Sequence, residues 1–281
     1  MKRILLVILV FLQLNCTSKG LIYTNSFDVV LQEVDVEGIS KLSSDLVIID
    51  YSFDGSEDGE LTKEDVNNIR KSGKKVFAYL SIGEAEDYRF YWKDEYYNNP
   101  PEWIYKENPN WTGNYIVRYW HPEWQNIVLD YLKRIMDKDF DGVFLDTVDS
   151  YIEFTDEDSN YDYSRLMINL LNKIILYSCD VRCTDFNIIL NNSEDIVFKD
   201  KFLFDNISGF IAESVYTDGS DNYQNDTDIT RRERNLIKLQ RKKKCIMLIE
   251  YINDPIKQNA ILNRSIGNGF LIRFLNPSLS L

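Results

Sequence analysis

Eight short apolar segments recur along this 281-residue chain, and they constrain its fold more than any other feature. Each contains several consecutive Val, Ile, Leu, Met or Phe residues, the pattern typical of a parallel strand that is buried on both faces. The segments cover residues 27–32, 45–52, 74–81, 140–149, 186–193, 208–216, 244–251 and 269–274.

Between these segments lie stretches with helical periodicity, at residues 62–73, 123–138, 163–178, 229–244 and 254–269. Such alternation of strands and helices predicts a parallel α/β protein, and eight strands are the number that closes a (β/α)8 TIM barrel. An open, doubly wound sheet would need a glycine-rich phosphate turn after an early strand, and the sequence has none. We therefore expect a single TIM barrel over residues 27–281, with a long aromatic-rich loop at 82–121 after the third strand.

The N-terminus has the features of a secretory signal. Lys2 and Arg3 precede an apolar run at 4–12 that is shorter than the roughly 20 residues needed to span a bilayer. Cys16 follows this run, which predicts a lipoprotein signal at 1–16, lipidation of Cys16 and a short tether at 17–26. We expect an exported protein of the cell envelope, with a soluble secreted form or an uncleaved anchor as alternatives.

Composition excludes several classes of function. The net charge of -13 argues against nucleic acid as a partner, because such a surface repels phosphate backbones. His121 is the one histidine, so acid–base chemistry falls mainly to Asp, Glu, Tyr or Lys. No metal-ligand spacing or cofactor motif is present, and the acidic segment at 54–65 is better explained as a solvated loop than as a calcium site.

The cysteines allow two interpretations. Cys179 and Cys183 could close a small disulfide loop in an oxidising compartment, or they could be two free thiols in a bend of the chain. Cys245 opens an apolar run and is expected to be buried in the core.

Polar side chains end nearly every predicted strand. In a TIM barrel the carboxyl ends of the strands carry the active site. A single polar strand end usually reflects exposure to water, but carboxylates on five of eight strands favour a shared site. Clustered carboxylates raise one another's pKa, which can produce a proton donor beside a nucleophile. The residues at the strand ends are Gln32, Asp50, Glu84, Asp146 with Asp149, Asn191, Glu213, Glu250 and Arg273.

Aromatic residues are concentrated in one region, since all five tryptophans lie between residues 92 and 124. Flat rings with polar edges suit the C–H-rich faces of sugars. The alternative is that these rings pack the long loop against the barrel rim. Tyr119 and Trp120 are the candidates favoured here for contact with a ligand.

Five stretches of the chain resemble glycoside hydrolase family 114, whose members are (β/α)8-barrel proteins described as endo-α-1,4-polygalactosaminidases. They are VIIDYSFDGSEDGELTKEDV, VFAYLSIGEAEDYRFYW, NPNWTGNYIVRYWHPEWQ, FDGVFLDTVDSY and ESVY. The resemblance implies cleavage of an amino-sugar polysaccharide, with Asp146 as nucleophile and Glu213 as acid/base of a retaining mechanism, or with these roles exchanged. It also implies a cleft lined by Asp50, Tyr79, Glu84, Asp149, Asn191, Tyr216 and Glu250.

This interpretation leads to specific expectations for the two carboxyl groups. Asp146 should be held ionised by donors such as Asn191 or a tyrosine hydroxyl, and Glu213 should be kept protonated by aromatic rings and neighbouring carboxylates. A cationic galactosamine polymer suits an acidic protein. The competing hypothesis is a non-catalytic carbohydrate-binding or adhesion lipoprotein, which would attach to the membrane only through its lipid.

Overall fold

The computed structural model describes residues 22, 24–155, 161–182, 186–219 and 221–275. The predicted signal segment with Cys16 lies outside the described residues, as does Cys183. Cys179 is disulfide-bonded, and Cys245 is a free thiol. No helix of the described part of the chain is long and apolar enough to cross a membrane.

Eight parallel strands form the predicted (β/α)8 barrel. Each of these strands pairs in parallel with the barrel strand that comes next along the chain. These strands are β1 (Phe27–Val30), β2 (Leu46–Ile49), β3 (Lys75–Ser81), β7 (Gly142–Asp146), β8 (Asn187–Asn191), β9 (Gly209–Glu213), β10 (Cys245–Glu250) and β11 (Leu271–Phe274).

The barrel closes between its first and last strands through an arginine. Arg273 on β11 donates from Nε to the carbonyl oxygen of Phe27 at 2.5 Å. The same nitrogen lies 3.1 Å from Asp28 Oδ1, also on β1. Arg273, one of the polar strand ends identified in the sequence, therefore joins the two edge strands.

Helices follow the barrel strands, as the periodicity predicted. They are α1 (Val36–Lys41), α2 (Lys63–Lys71), α3 (Pro122–Asp137), α4 (Tyr163–Arg182), α5 (Lys201–Asn206), α6 (Asp226–Arg241) and α7 (Pro255–Gly267). Local capping explains where several begin: Thr62 and Asp65 form a capping box at α2, and His121 accepts from the backbone of Glu123 at α3. The short helices α1 and α5 were not predicted.

The aromatic-rich insertion is not simply a loop. It contains a three-stranded antiparallel sheet in the order β4-β6-β5, formed by β4 (Glu84–Glu86), β5 (Ile104–Glu107) and β6 (Asn114–Val117). Trp103 and Trp124 are fully buried beneath it, with ring centroids 5.1 Å apart. Burial of these rings fixes the insertion on the barrel.

Alternation along each strand divides the buried residues into two layers. One layer fills the barrel interior with residues such as Ile48, Tyr79, Phe144, Ile211 and Ile249. Their strand neighbours face outward and pack beneath the helices. Because side chains of a strand point alternately to its two faces, this alternation also decides which strand-end residues reach the mouth of the barrel.

Candidate active site

Three neighbouring strands place Asp146, Asn191 and Glu213 together at the mouth of the barrel. Each ends its strand, on β7, β8 and β9 respectively, two residues after an inward-facing Phe144, Ile189 or Ile211. Asn191 Nδ2 donates to Asp146 Oδ1 at 2.8 Å and to Glu213 Oε1 at 2.6 Å. One amide nitrogen therefore bridges the two carboxyl groups that the sequence predicted as catalytic.

Asp146 lies in a buried, hydrogen-bonded environment. Besides Asn191, the backbone N–H of Thr147 donates to Asp146 Oδ1 at 2.7 Å, and the hydroxyl of Tyr79 also contacts the carboxyl group. Burial, followed by the negative charge of Glu213, nevertheless raises the pKa of Asp146 to about 8. The expected donors are present, but the direction of the pKa shift is opposite to the expectation, so the pair retains one proton at neutral pH.

Glu213 has a second partner that sequence reasoning missed. The hydroxyl of Tyr251 donates to Glu213 Oε2 at 2.7 Å. Tyr251 follows β10 and shares the inward alternation of Met247 and Ile249. Counting alternate residues from the apolar core of this strand could have identified Tyr251.

The same alternation shows why the prediction for Glu250 was wrong. Glu250 is fully buried and faces outward with Leu248. Its carboxylate accepts from the backbone N–H groups of Tyr216 and Thr217 at 2.9 and 3.1 Å, and from the Thr217 hydroxyl at 2.6 Å. Burial raises the pKa of this group. Glu250 thus holds the loop after β9 rather than lining the cleft.

Two predicted tyrosines are also packing residues. Tyr216 is 1% exposed, and its hydroxyl donates to Glu233 of α6 at 2.8 Å, away from the carboxyl pair. Tyr119 is fully buried and donates to the carbonyl oxygen of Tyr163 at 2.8 Å. In this structure neither ring is open to a ligand.

Trp120 is half-buried in an aromatic cluster. Its ring centroid lies 4.8 Å from that of Phe154 and 5.2 Å from that of Tyr163. These contacts favour the alternative interpretation of the insertion, in which its rings pack against neighbouring segments of the barrel rim.

Asp50 faces the mouth but is already occupied by an internal partner. Arg89, from the turn after β4, binds both oxygens of Asp50 at 2.8 and 2.7 Å. Its Nε also donates to Glu86 at 2.7 Å. The three side chains are almost completely buried, and they form an ion triad of two carboxylates and one guanidinium. Burial raises the pKa of Asp50, and the charge of Arg89 opposes that shift.

Glu84 and Asp149 remain partly exposed near the pair. Glu84 lies on β4 rather than at the end of β3, and it accepts from Asn108 Nδ2 at 2.8 Å. Asp149 lies in a 3-10 helix, Val148–Phe154, directly after β7. Burial raises the pKa of both groups, and the charge of Glu213 adds to the shift at Asp149. These two carboxyl groups give the mouth an acidic rim.

Left-handed backbone follows each of the three strands that carry the bridged residues. Thr147, Asn192 and Ser214 have φ values of 57°, 47° and 50°, although none is glycine. Such conformations cost about 1–3 kcal/mol each and are retained where surrounding contacts enforce them. The strand ends at this site are therefore held in place by tertiary contacts.

Arg232 of α6 supplies several of those contacts. It donates to the carbonyl oxygens of Glu213 and Ser214 at 2.8 and 3.2 Å, and to Asn192 Oδ1 at 3.1 Å. Asn192 Oδ1 also accepts from the backbone N–H of Glu213 at 3.0 Å. The buried Glu194 pairs with Arg232 at 2.6 Å. Arg232 thereby joins the ends of β8 and β9, which carry Asn191 and Glu213.

Known proteins are similar in sequence to this chain over most of its length. Residues 18–270 match glycoside hydrolase family GH114. An uncharacterised protein of Methanocaldococcus jannaschii is 37% identical over 252 residues, covering 89% of this chain and 71% of that protein. An uncharacterised protein of Thermotoga maritima is 40% identical over 227 residues, covering 80% and 70% respectively.

Two solved structures have the same fold. The glycoside hydrolase domain of PelA from Pseudomonas aeruginosa superposes with a TM-score of 0.72 at 17% identity, covering 92% of this chain and 97% of that domain. Aspergillus fumigatus Ega3 in complex with galactosamine gives 0.66 at 18% identity, covering 91% of both chains. Together with the sequence match, these findings make the protein a glycoside hydrolase of the (β/α)8 class. The chain belongs to glycoside hydrolase family 114.

Proposed function

We propose that this protein hydrolyses an α-1,4-linked polymer of galactosamine, using Asp146 and Glu213 in a retaining mechanism. The observation that carries the proposal is the bridge by Asn191, whose single nitrogen contacts both carboxyl groups. A shared donor holds the two carboxyl groups close together at the mouth of the barrel, where both can act on one glycosidic bond of a bound substrate.

The bridge supports retention rather than inversion. Retaining glycosidases hold their two carboxyl groups about 5–5.5 Å apart, whereas inverting enzymes need about 6.5–9.5 Å to admit a water. Asp146 Oδ1 and Glu213 Oε1 cannot be further apart than the sum of their contacts of 2.8 and 2.6 Å with Asn191 Nδ2. That limit falls within the range of retaining enzymes and below the separation that inverting enzymes need.

We assign Asp146 as the nucleophile and Glu213 as the acid/base. Donors from Asn191, Thr147 and Tyr79 stabilise an ionised Asp146, while the proton that the pair retains must lie on Glu213 when the leaving group departs. Attack by Asp146 on the anomeric carbon forms a glycosyl–enzyme ester as Glu213 protonates the leaving oxygen. Glu213 then removes a proton from water, which hydrolyses the ester and regenerates both groups.

An amino sugar suits the charge of the site. The chain has a net charge of -13, and Glu84 and Asp149 add carboxyl groups to the rim of the mouth. Such a surface attracts a polymer with free ammonium groups. Ega3, which has the same fold, was crystallised with galactosamine.

We also propose that the protein is exported and anchored to the cell envelope through a lipid on Cys16. The support is the positive Lys2-Arg3 start, the short apolar run at 4–12 and the cysteine that follows it. A polysaccharide substrate is consistent with that location, because such polymers accumulate outside the membrane.

The test is to incubate the purified protein with galactosamine polymers, N-acetylated galactosamine polymers and neutral polysaccharides while new reducing ends are measured. Proton NMR of the first products assigns the anomer that is released. Release of α-galactosamine oligomers supports the proposal, and initial release of the β-anomer would overturn retention. Binding of these polymers without any cleavage would favour the carbohydrate-binding alternative.

A further inference from the structure

Tyr88 presents an exposed aromatic surface in the insertion that follows β3. Its side chain is 47% exposed, although its hydroxyl is anchored on Glu86 Oε1 at 2.7 Å. A large ring that is fixed at its polar end and open on its face differs from the packing aromatics Tyr119 and Tyr216. Its location and its support together point to a ligand contact.

The position of Tyr88 follows from the buried ion triad beneath it. Ile49 pairs with Ala78, so Asp50 and Tyr79 are the next residues on the adjacent strands β2 and β3. Arg89 sits on Asp50, and its guanidinium carbon lies 4.7 Å from the centroid of the Tyr88 ring. Tyr79 in turn contacts Asp146. Tyr79 interacts electrostatically with Tyr88 as well as with Asp146. Tyr88 therefore lies on the β2–β3 side of the mouth, with Tyr79 between it and the reactive carboxyl group.

The ring is held on several sides. Arg89 is buried and covers one face, so the exposed surface of Tyr88 belongs to the side that faces away from Arg89. At the edge of the ring, the backbone of Gly55 approaches so closely that a Cβ there would lie 2.5 Å from Tyr88 Cδ2. A ring already fixed in place loses little conformational entropy when a ligand binds, which favours its use as a binding surface.

We propose that Tyr88 is the stacking platform of a sugar subsite next to the Asp146–Glu213 pair, and that this subsite takes a galactosamine ring of the polymer. The inference rests on the proposed function and extends it to a second sugar unit. An aromatic face attracts both the C–H groups of a sugar ring and an ammonium group. The triad beneath Tyr88 contains two carboxylates for one guanidinium, so it does not repel a cationic sugar.

Binding can be separated from cleavage by measuring it in an Asp146→Asn background of the full-length chain. Titration with galactosamine oligomers of increasing length, followed by calorimetry, gives the affinity for each length. Tyr88→Ala should weaken binding of the longer oligomers roughly tenfold and leave single galactosamine nearly unaffected. Tyr88→Phe keeps the ring and should stay within about twofold of the parent.

Tyr97→Ala is the matched control. Tyr97 is 54% exposed in the same insertion and is anchored through its hydroxyl on Asp87 at 2.9 Å. It has no contact with the triad in the part of the chain described, so its loss should not change affinity. Equal affinity of Tyr88→Ala, Tyr97→Ala and the parent would overturn the subsite while leaving hydrolysis at Asp146 and Glu213 intact. If the Asp146→Asn parent binds no oligomer, both the subsite and the proposed substrate are overturned. If Tyr88→Ala alone loses affinity for the longer oligomers but the native protein hydrolyses none of them, the result supports the subsite and not the proposed hydrolysis.

Discussion

Tyr251 donates its hydroxyl to Glu213 at 2.7 Å, while the adjacent Glu250 points to the opposite face of the same strand. A hydrogen bond to a carboxylate stabilises its ionised form and thereby lowers the pH at which the carboxyl pair loses its shared proton. Tyr251 and not Glu250 is thus the residue at this strand end that contacts the reactive pair.

Replacing Tyr251 by Phe should therefore shift the alkaline limb of the pH–rate profile to higher pH by roughly one unit. The measurement is kcat over pH 4 to 10 on a galactosamine polymer. Tyr216→Phe is a suitable control, because it also removes a buried hydroxyl but one that contacts Glu233 instead. An unchanged limb in Tyr251→Phe would show that this hydrogen bond does not act on the reactive pair.

Asp146→Asn and Glu213→Gln should each lower kcat by roughly 10³-fold or more, with oligomer binding retained. Each amide keeps the shape of the side chain but cannot act as a nucleophile or exchange a proton. Asp137→Asn, which removes an exposed carboxylate of α3, should retain the parent rate. Parent-like hydrolysis by both active-site variants would exclude these two residues as the catalytic pair.

Asp146→Asn should also make the protein more stable at neutral pH. The folded pKa of Asp146 is raised from its ordinary value of 3.8 to about 8, so the folded state binds more protons than the unfolded state between these limits. Stability from this group is present below pH 4 and is lost as pH rises toward 8. Thermal melts should show a higher Tm for the variant at pH 7.5 and nearly equal values at pH 4; a Tm gain that does not depend on pH would contradict this account.

Arg232→Lys should lower kcat roughly tenfold while KM stays close to that of the parent. Lysine keeps the charge beside Glu194 but cannot contact Glu213, Ser214 and Asn192 together, so the end of β9 loses its support. Arg264→Lys is the control, since Arg264 pairs with Glu233 at the half-exposed surface between α6 and α7. A KM increase with unchanged kcat would instead assign Arg232 to substrate binding.

Cys16→Ala should release the protein from the membrane fraction or block its maturation, because the thiol that would carry the lipid is gone. Detergent phase partitioning of the parent and the variant measures this directly. Cys245→Ala is the matched control, as it removes a free thiol of the folded domain. Identical partitioning of all three proteins would refute the lipid anchor.

Much of the barrel and the centre of its site could be predicted from local sequence. Continuous apolar runs identified all eight strands, and Asp146, Asn191 and Glu213 each end one of them. Their grouping needed only the rule that parallel strands of a barrel present their carboxyl ends at one mouth. Glu250 was misplaced because its position at a strand end was considered without the alternation that turns it outward.

Long-range partners could not be predicted in this way. Arg89 reaches Asp50 across 39 residues, and Arg232 approaches Asn192 from a helix 40 residues later. Nothing in the local pattern around either arginine distinguishes it from a solvated surface residue. Tyr119 is likewise buried by another segment, where its hydroxyl donates to the carbonyl oxygen of Tyr163, so the aromatic cluster alone could not separate packing rings from the exposed Tyr88.

The closure of the barrel through Arg273 affects how the enzyme folds during its synthesis. Its contact with Phe27 spans 246 residues, so β1 leaves the ribosome long before β11, and the barrel can close only after β11 has been made. Until then β1 keeps an unpaired edge, which is a template for association with other chains. Assembly of the mouth therefore depends on β11, and a chain that stops before this strand would contain both reactive carboxyl groups without a closed barrel to hold them.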